Sequence, residues 1–324
     1  MTVRLRGWIG TAGFAAALTS CLMSSAGAQS WPAKAVKIIV PVAAGTATDI
    51  TARIFGEKLA AKWGQPVIIE NRPGADGLVA IGSFVSQRDP HTLLFSFSTA
   101  VSLNPLIHPK LSYDPDADLV PITTTAEVVL AIAVNNATGV KAVAQLVEQI
   151  QKEPGKYNWA AAPGLPRYVF EAFRAAAKLD MVYVPYNQTG TAAQDLGAGR
   201  IQVMIAAVST LLPIVQAGQT RFLAVTSNDR AKMVPDVLSA TEAGYPSLMI
   251  PALGCVFGGR DMPAGVRDQI ARDVDAVAAD NGVVERLAQA GQTVRRSTPA
   301  GLSRLLAEQR TALAPIAAAL GPAQ

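Results

Sequence analysis

The stretch PVAAGTATDI, Pro41 to Ile50, lies between the apolar run VKIIV and the helical-looking TDITARIFGEKLAAKW. An apolar strand that dissolves into small residues and re-forms as a helix is a common way to build a ligand cradle. The first turn of a helix leaves backbone N–H groups unpaired and carries the positive end of the helix dipole. The same pattern also serves as a plain tight turn. As a nucleotide motif it fails, because only Gly45 is present where a phosphate loop or a dinucleotide turn needs further glycines or a lysine. Thr46-x-x-Asp49 also reads as a capping box, worth about 1 kcal/mol with no ligand at all.

Outward from this stretch, short β-rich runs alternate with helical ones: VIIE before Gly77 to Gln87, VVLAIAV before Ala142 to Lys152, and YNWAA before Tyr168 to Lys178. MVYVPY, IQVMIAA and RFLAVT continue the series. Strands alternating with helices of this length predict an α/β fold with largely parallel sheets. Continuous apolar runs such as KIIV and VVLAIAV predict strands covered on both faces. Toward the C-terminus the pattern turns helical, over Val266 to Ala290 and again from Thr298 to about Leu320. The chain of 324 residues, half of them hydrophobic, is long enough for two domains. No linker composition separates them, as expected for a hinged protein whose chain crosses between lobes within strands.

The N-terminus reads as a secretory signal over residues 1–28: Arg4 and Arg6, an apolar core from about Trp8 to Met23, and small residues ending in AGA before Gln29. Leu18-Thr19-Ser20-Cys21 also resembles a lipobox, which would place a lipid anchor at Cys21. No later segment approaches about 20 uninterrupted apolar residues. The listless charge balance of +4 gives no sign of a nucleic-acid partner. After cleavage at Gln29, Cys255 would be the only cysteine, which excludes an intramolecular disulfide and reads as a buried small residue.

Enzyme chemistry has little to draw on. The two histidines, His91 and His108, stand in no metal-ligand or catalytic spacing and read as surface or capping residues; no G-x-S-x-G elbow is present. No metal or cofactor is expected. Small polar loops recur after the strands instead: Ser96 to Thr99, Ala161 to Gly164, Asn187 to Thr191, and Ala206 to Ser209. In open α/β sheets ligands sit beyond the carboxyl ends of the strands. Together these loops predict a cleft that binds without reacting.

The stretch WPAKAVKIIVPVAAGTATDITARIFGEKLAAKWGQPVIIENRPGADG resembles the opening of the tripartite tricarboxylate transporter substrate-binding proteins, the Bug or TctC family, whose pattern ends in E-N-[RK]-P-G-A-x-G. LNPLIHPKLSYDPDADLVPI, EPGKYNW, MVYVPYNQTG, LGAGRIQVM, AGQTRFLAVTS and ATEAGYP continue the match across the mature chain. The resemblance implies a two-lobed periplasmic binding protein fold of type II-like form, each lobe a mainly parallel sheet flanked by helices. Lobe I would comprise 29–131 and 252–324, and lobe II 132–251. It further implies a monomeric extracytoplasmic receptor that captures a small carboxylate and delivers it to the large and small subunits of a membrane permease. A sensor feeding a signalling receptor is the alternative role, and a periplasmic enzyme a remoter one.

Carried over by position, the resemblance implies a ligand clamp of two loops. The first is Ala43, Ala44, Gly45, Thr46 and Thr48 with Asp49; the second is Tyr186, Asn187, Gln188, Thr189, Gly190 and Thr191. Ser98, Ala162, Gly164 and Ala207 would be wall positions. This chain departs from the pattern where the usual Gly-Gly is Gly45-Thr46 and a usual glycine is Gln188. The acid common in V-D-V-M-F-D is absent, with Gln202 and Ala206 there, which disfavours amino-acid ligands. Arg167 offers a guanidinium for a second carboxylate, or is a solvent-facing arginine at a helix start. Glu70 to Gly74 reads as a strand end and turn with a local ion pair.

Overall fold

The computed structural model describes residues 31–320 apart from Pro163 and Asn187, together with Thr2. The signal and lipobox readings and the role of Asn187 fall outside the described residues. The first segment runs β1 (Val36–Val40), α1 (Ala47–Trp63), β2 (Val67–Asn71), α2 (Leu78–Gln87) and β3 (Thr92–Phe97). Two single-turn helices, α3 (Thr99–Ser102) and α4 (Asn104–Ile107), lead to β4 (Leu119–Val128), and β5 (Leu130–Asn135) follows almost at once. The chain continues through α5 (Val143–Lys152), β6 (Tyr157–Ala161), α6 (Leu165–Ala176), β7 (Met181–Tyr183), α7 (Thr189–Gly197), β8 (Val203–Ala207), α8 (Val208–Gln216) and β9 (Thr220–Val225). It returns by β10 (Ala252–Gly259), α9 (Ala264–Ala278), α10 (Asn281–Gln289), β11 (Gln292–Val294) and α11 (Pro299–Leu320).

These elements form one sheet in the order β11-β4-β10-β3-β1-β2 and a second in the order β7-β6-β8-β5-β9. Leu130 and Ala131 already pair with β8 in the second sheet, so the chain changes sheets at Val129. Strands β1 to β4 share one direction, because β1 is parallel to β2 and β3 while β3 and β4 are both antiparallel to β10. In the second sheet β6, β7, β8 and β9 are likewise co-directional, and β5 is inserted antiparallel between β8 and β9. The two α/β sheets flanked by helices are as the sequence predicts. The correction to largely parallel sheets is that the strands that carry the chain between sheets, β5 and β10, run against their neighbours, as the short β11 does against β4.

Local chemistry explains the elements. In β1, Val36, Ile38 and Val40 join one apolar cluster and Ile39 another, as the two-residue period requires of a strand buried on both faces. Helix α1 ends at Gly64, whose left-handed φ of 63° lets its N–H donate to the Ala60 carbonyl. Val143, Leu146 and Ile150 give α5 its single buried stripe. The helix expected over Val266 to Ala290 is broken in two: Asp280 leaves the helical backbone and caps α10 by accepting from the Val283 N–H at 3.1 Å.

Helix α11 is shared. Leu302 and Leu306 pack with Ile39, Leu94 and Phe257 of the first sheet, whereas Leu313 and Ala317 pack with Trp159, Phe170 and Phe173 of the second. Leu103 and Ile107, beside α3 and in α4, join that second-sheet core too.

Candidate functional site

Strand direction sets up the site. β4 ends at Val128 and β5 begins two residues later, so every strand co-directional with β4 points its carboxyl end at the second sheet. β6, β7 and β8 run against β5 and point their carboxyl ends back. The loops after β1 and β3 consequently face those after β6, β7 and β8 across the junction between sheets, where ligands of α/β proteins bind.

In the first loop Gly45 adopts φ 82°, a left-handed backbone that glycine alone takes without strain. Asp49, 1% exposed, organises this loop. Its Oδ2 accepts from the Gly45 N–H at 2.8 Å and from Arg53 Nε at 2.9 Å, and its Oδ1 from Asn71 Nδ2 at 2.8 Å. Burial alone would raise the Asp49 carboxyl, but Arg53, the Gly45 N–H and Asn71 together hold it below the usual aspartate range. The capping box is thus shifted by one residue, since Asp49 serves Gly45 rather than Thr46. The Thr46 hydroxyl donates to the Ala43 carbonyl at 2.9 Å and accepts from the Asp49 N–H at 3.4 Å. Gln292 Nε2 donates to the Ala47 carbonyl at 2.7 Å and ties α1 to β11.

These bonds divide the expected ligand groups. The Asp49 carboxylate, the Gly45 N–H and the Thr46 hydroxyl are spent on the loop itself. The N–H groups of Ala43, Ala44, Ala47 and Thr48 find no acceptor among the described residues, and Ala43 and Ala44 are exposed. In the second loop the Tyr186 hydroxyl donates to Asp195 Oδ2 at 2.6 Å, and Asp195 in turn pairs with Arg200. Burial, with the Asp195 carboxylate beside it, pushes the Tyr186 phenol up to about 12. Tyr186 therefore braces its loop. The N–H groups of Thr189, Gly190 and Thr191 in the first turn of α7 have no acceptor among the described residues, and the Gln188 side chain is exposed.

The wall positions differ among themselves. Ser98, 1% exposed, gives its N–H to Leu253, while its hydroxyl has no partner. The Ala162 N–H is taken by Ile205, and Gly164, at φ 80°, accepts from the Arg167 N–H. Ala207 ends β8 opposite Leu130. The Arg167 guanidinium lies 4.7 Å over the centre of the Tyr183 ring and pairs with no acid among the described residues. It is neither freely solvated nor saturated.

Two readings change at the ENRPG block. Arg72 does pair with Glu70, as a local turn requires. The loop continues, however, through Ala75 and Asp76, both left-handed at φ 46° and 50°, to Gly77, where an added Cβ would lie 3.2 Å from Pro41. That contact sets Asp76 beside the first loop. Its Oδ2 lies 3.5 Å from His108 Nε2, and Asn104 Nδ2 donates to its carbonyl at 3.4 Å. His108 is thus not a surface residue; it is 17% exposed and faces an acid. His91 does serve backbone, accepting from the Ala33 N–H at 3.1 Å. Asp76 is an acid not singled out from the sequence; its only sequence signal was an aspartate, a residue tolerant of left-handed backbone, inside G-A-D-G.

Among the described residues no helix is long and apolar enough to cross a membrane, and no group of three potential ligands could hold a metal ion. Cys255 is buried and free, with burial raising its thiol.

Two helix-flanked α/β sheets joined by crossing strands are the fold that periplasmic binding proteins such as BugD share, with which this chain superposes at a TM-score of 0.76 and 24% identity over 88% of its length. Residues 51–321 match the tripartite tricarboxylate transporter family receptor, TctC, and the chain belongs to that family. It is 30% identical over 294 residues to a UPF0065 protein of Bordetella bronchiseptica, covering 90% of this chain and 88% of that protein. It is 28% identical to Protein BugT of Bordetella pertussis, covering 90% and 88%. MatC from Rhodopseudomonas palustris, solved with bound malate, superposes with a TM-score of 0.77 at 26% identity over 89% of this chain and all of that one.

Proposed function

We propose that this protein is a periplasmic solute receptor, without catalytic activity, that captures a small organic carboxylate between its two sheets and hands it to a tripartite tricarboxylate-type permease. The observation that carries this reading is the pair of opposed helix N-termini, α1 and α7, the first preceded by small residues and each with first-turn N–H groups that have no acceptor among the described residues. Two such termini facing one space favour an anion from both sides. The bound malate in MatC and the family membership support the same ligand class. The sheets act as the two lobes, and closure of one on the other around the ligand is the signal the permease reads.

The test is a thermal-shift screen of the mature protein against aliphatic and aromatic carboxylates at millimolar concentration. A binder present at 100 times its Kd stabilises the native state by about 2.7 kcal/mol. No shift across the panel overturns the reading, and recovery of an altered ligand overturns the absence of catalysis.

A further inference from the structure

The charged groups at the junction that the clamp does not use gather around Asp76. Across from it, Arg167 and Tyr168 begin α6 and Tyr183 ends β7. Ile107, next to His108, packs in one apolar cluster with Tyr168, so α4 and α6 bring the two sides together. Burial pushes the hydroxyls of Tyr168 and Tyr183 up and Arg167 opposes it at both; the Asp76 carboxylate adds to it at Tyr168, and Glu171 followed by Asp76 at Tyr183. The Arg167 guanidinium lies over the Tyr183 ring at 4.7 Å, and Gly77, next to Asp76, packs against Pro41 at the start of the first loop. Among the described residues, none of the Asp76 carboxylate, the Arg167 guanidinium, the Tyr168 hydroxyl or the Tyr183 hydroxyl makes a hydrogen bond within the protein. His108 Nε2 is buried and also without a hydrogen bond, although it stands 3.5 Å from Asp76.

Buried polar groups are ordinarily hydrogen-bonded, and His108 Nε2, beside the 30% exposed Asp76 side chain, is an exception that needs a reason. Here the carboxylate is also carried on a backbone that L residues seldom adopt, φ 50° and ψ 32°, and such backbone gathers at ligand clamps. We propose that Asp76 is a specificity-determining residue of the cleft, which selects carboxylic acids bearing a hydroxyl or ammonium donor apart from the anchored carboxylate. Arg167 on its Tyr183 face supplies the opposite charge to the rest of such a ligand. The inference rests on the carboxylate-receptor reading above and adds the second point of recognition to it.

Titration calorimetry of the mature protein with matched acids tests it: malate against succinate for the hydroxyl, and 4-aminobutyrate against butyrate for the ammonium. The wild type is expected to bind the donor-bearing member of at least one pair about 10- to 100-fold more tightly. Asp76→Gly should bring that ratio within about 3-fold while leaving the melting midpoint unchanged or higher, because glycine accepts the left-handed backbone. Asp76→Asn should keep part of a hydroxyl preference and lose an ammonium preference, which separates the two donors. Equal binding of both members of each pair by the wild type, or an unchanged ratio in Asp76→Gly, overturns the role of Asp76 and leaves the receptor reading standing. Binding of no carboxylate at all overturns both.

Discussion

The loops after β1 and β7 make the same kind of site by different means. Each leaves N–H groups of a helix first turn without an acceptor among the described residues, and each uses a nearby acid to hold its shape. In the first loop the acid is Asp49, which is 1% exposed and takes three donors, from Gly45, Arg53 and Asn71. In the second it is Asp195, which reaches its loop through the Tyr186 hydroxyl alone and pairs outward with the exposed Arg200. Among the described residues the Asp49 carboxylate takes three donors in and beside the first loop, and a single side-chain hydrogen bond, from Tyr186 to Asp195, braces the second. In the closure we propose, the first loop serves as the fixed jaw and the second as the one that adjusts.

The largest test of that contrast is Asp49→Ala. It removes two charge-assisted hydrogen bonds, from the Gly45 N–H and from the Asn71 amide, which keeps its bond to the Val42 carbonyl, each worth about 1.5–3 kcal/mol. The half-exposed Arg53 adds little, because it returns to water. We expect a loss of about 3 kcal/mol in denaturant unfolding and a large loss of ligand affinity. The loss should depend on pH. Asp49 is depressed in the folded protein, so its contribution is fully present above the unfolded value of about 3.9 and disappears as pH falls through the folded value. The gap between wild type and variant should therefore close in melts below about pH 4. A gap that stays constant there shows that Asp49 acts by packing alone.

Tyr186→Phe removes the one bond that braces the second loop and should cost about 1 kcal/mol, with ligand affinity reduced several-fold in the same titration. If its effect equals that of Asp49→Ala, the two jaws are alike. Thr46→Gly restores the glycine pair that the family pattern carries in the first loop and should be the mildest change. Glycine at a helix cap costs only a few tenths of a kcal/mol relative to threonine, and the Thr46 hydroxyl is directed to the Ala43 carbonyl. An affinity change beyond about 3-fold would return Thr46 to direct ligand contact.

Much of this was legible beforehand. The period of VKIIV, the cap at Thr46, the glycine that ends α1 and the small loops after each strand are local features, and each appears where the sequence placed it. The roles within the loops were less legible. Gly45, Thr46, Asp49 and Tyr186 read as ligand contacts, and the structure ties the Gly45 N–H, the Asp49 carboxylate and the Thr46 and Tyr186 hydroxyls to protein partners. Asp76 and His108 were passed over, since the one occupies an unspecified position in its motif and the other has no catalytic spacing. The helix expected over Val266 to Ala290 failed at Asp280 because an aspartate followed by Asn281 and Gly282 favours a cap over a helix interior.

The sequence by itself determined the α/β class, the order of most elements, the family and the positions of the loops, because these follow from apolar periodicity, capping chemistry and motif spacing along the chain. Only the tertiary structure decided which polar groups are spent and which remain available. A hydrogen bond such as that from Asn71 to Asp49, or the approach of Asp76 to His108, joins residues distant in the chain. Its existence depends on how the sheets and helices settle against one another.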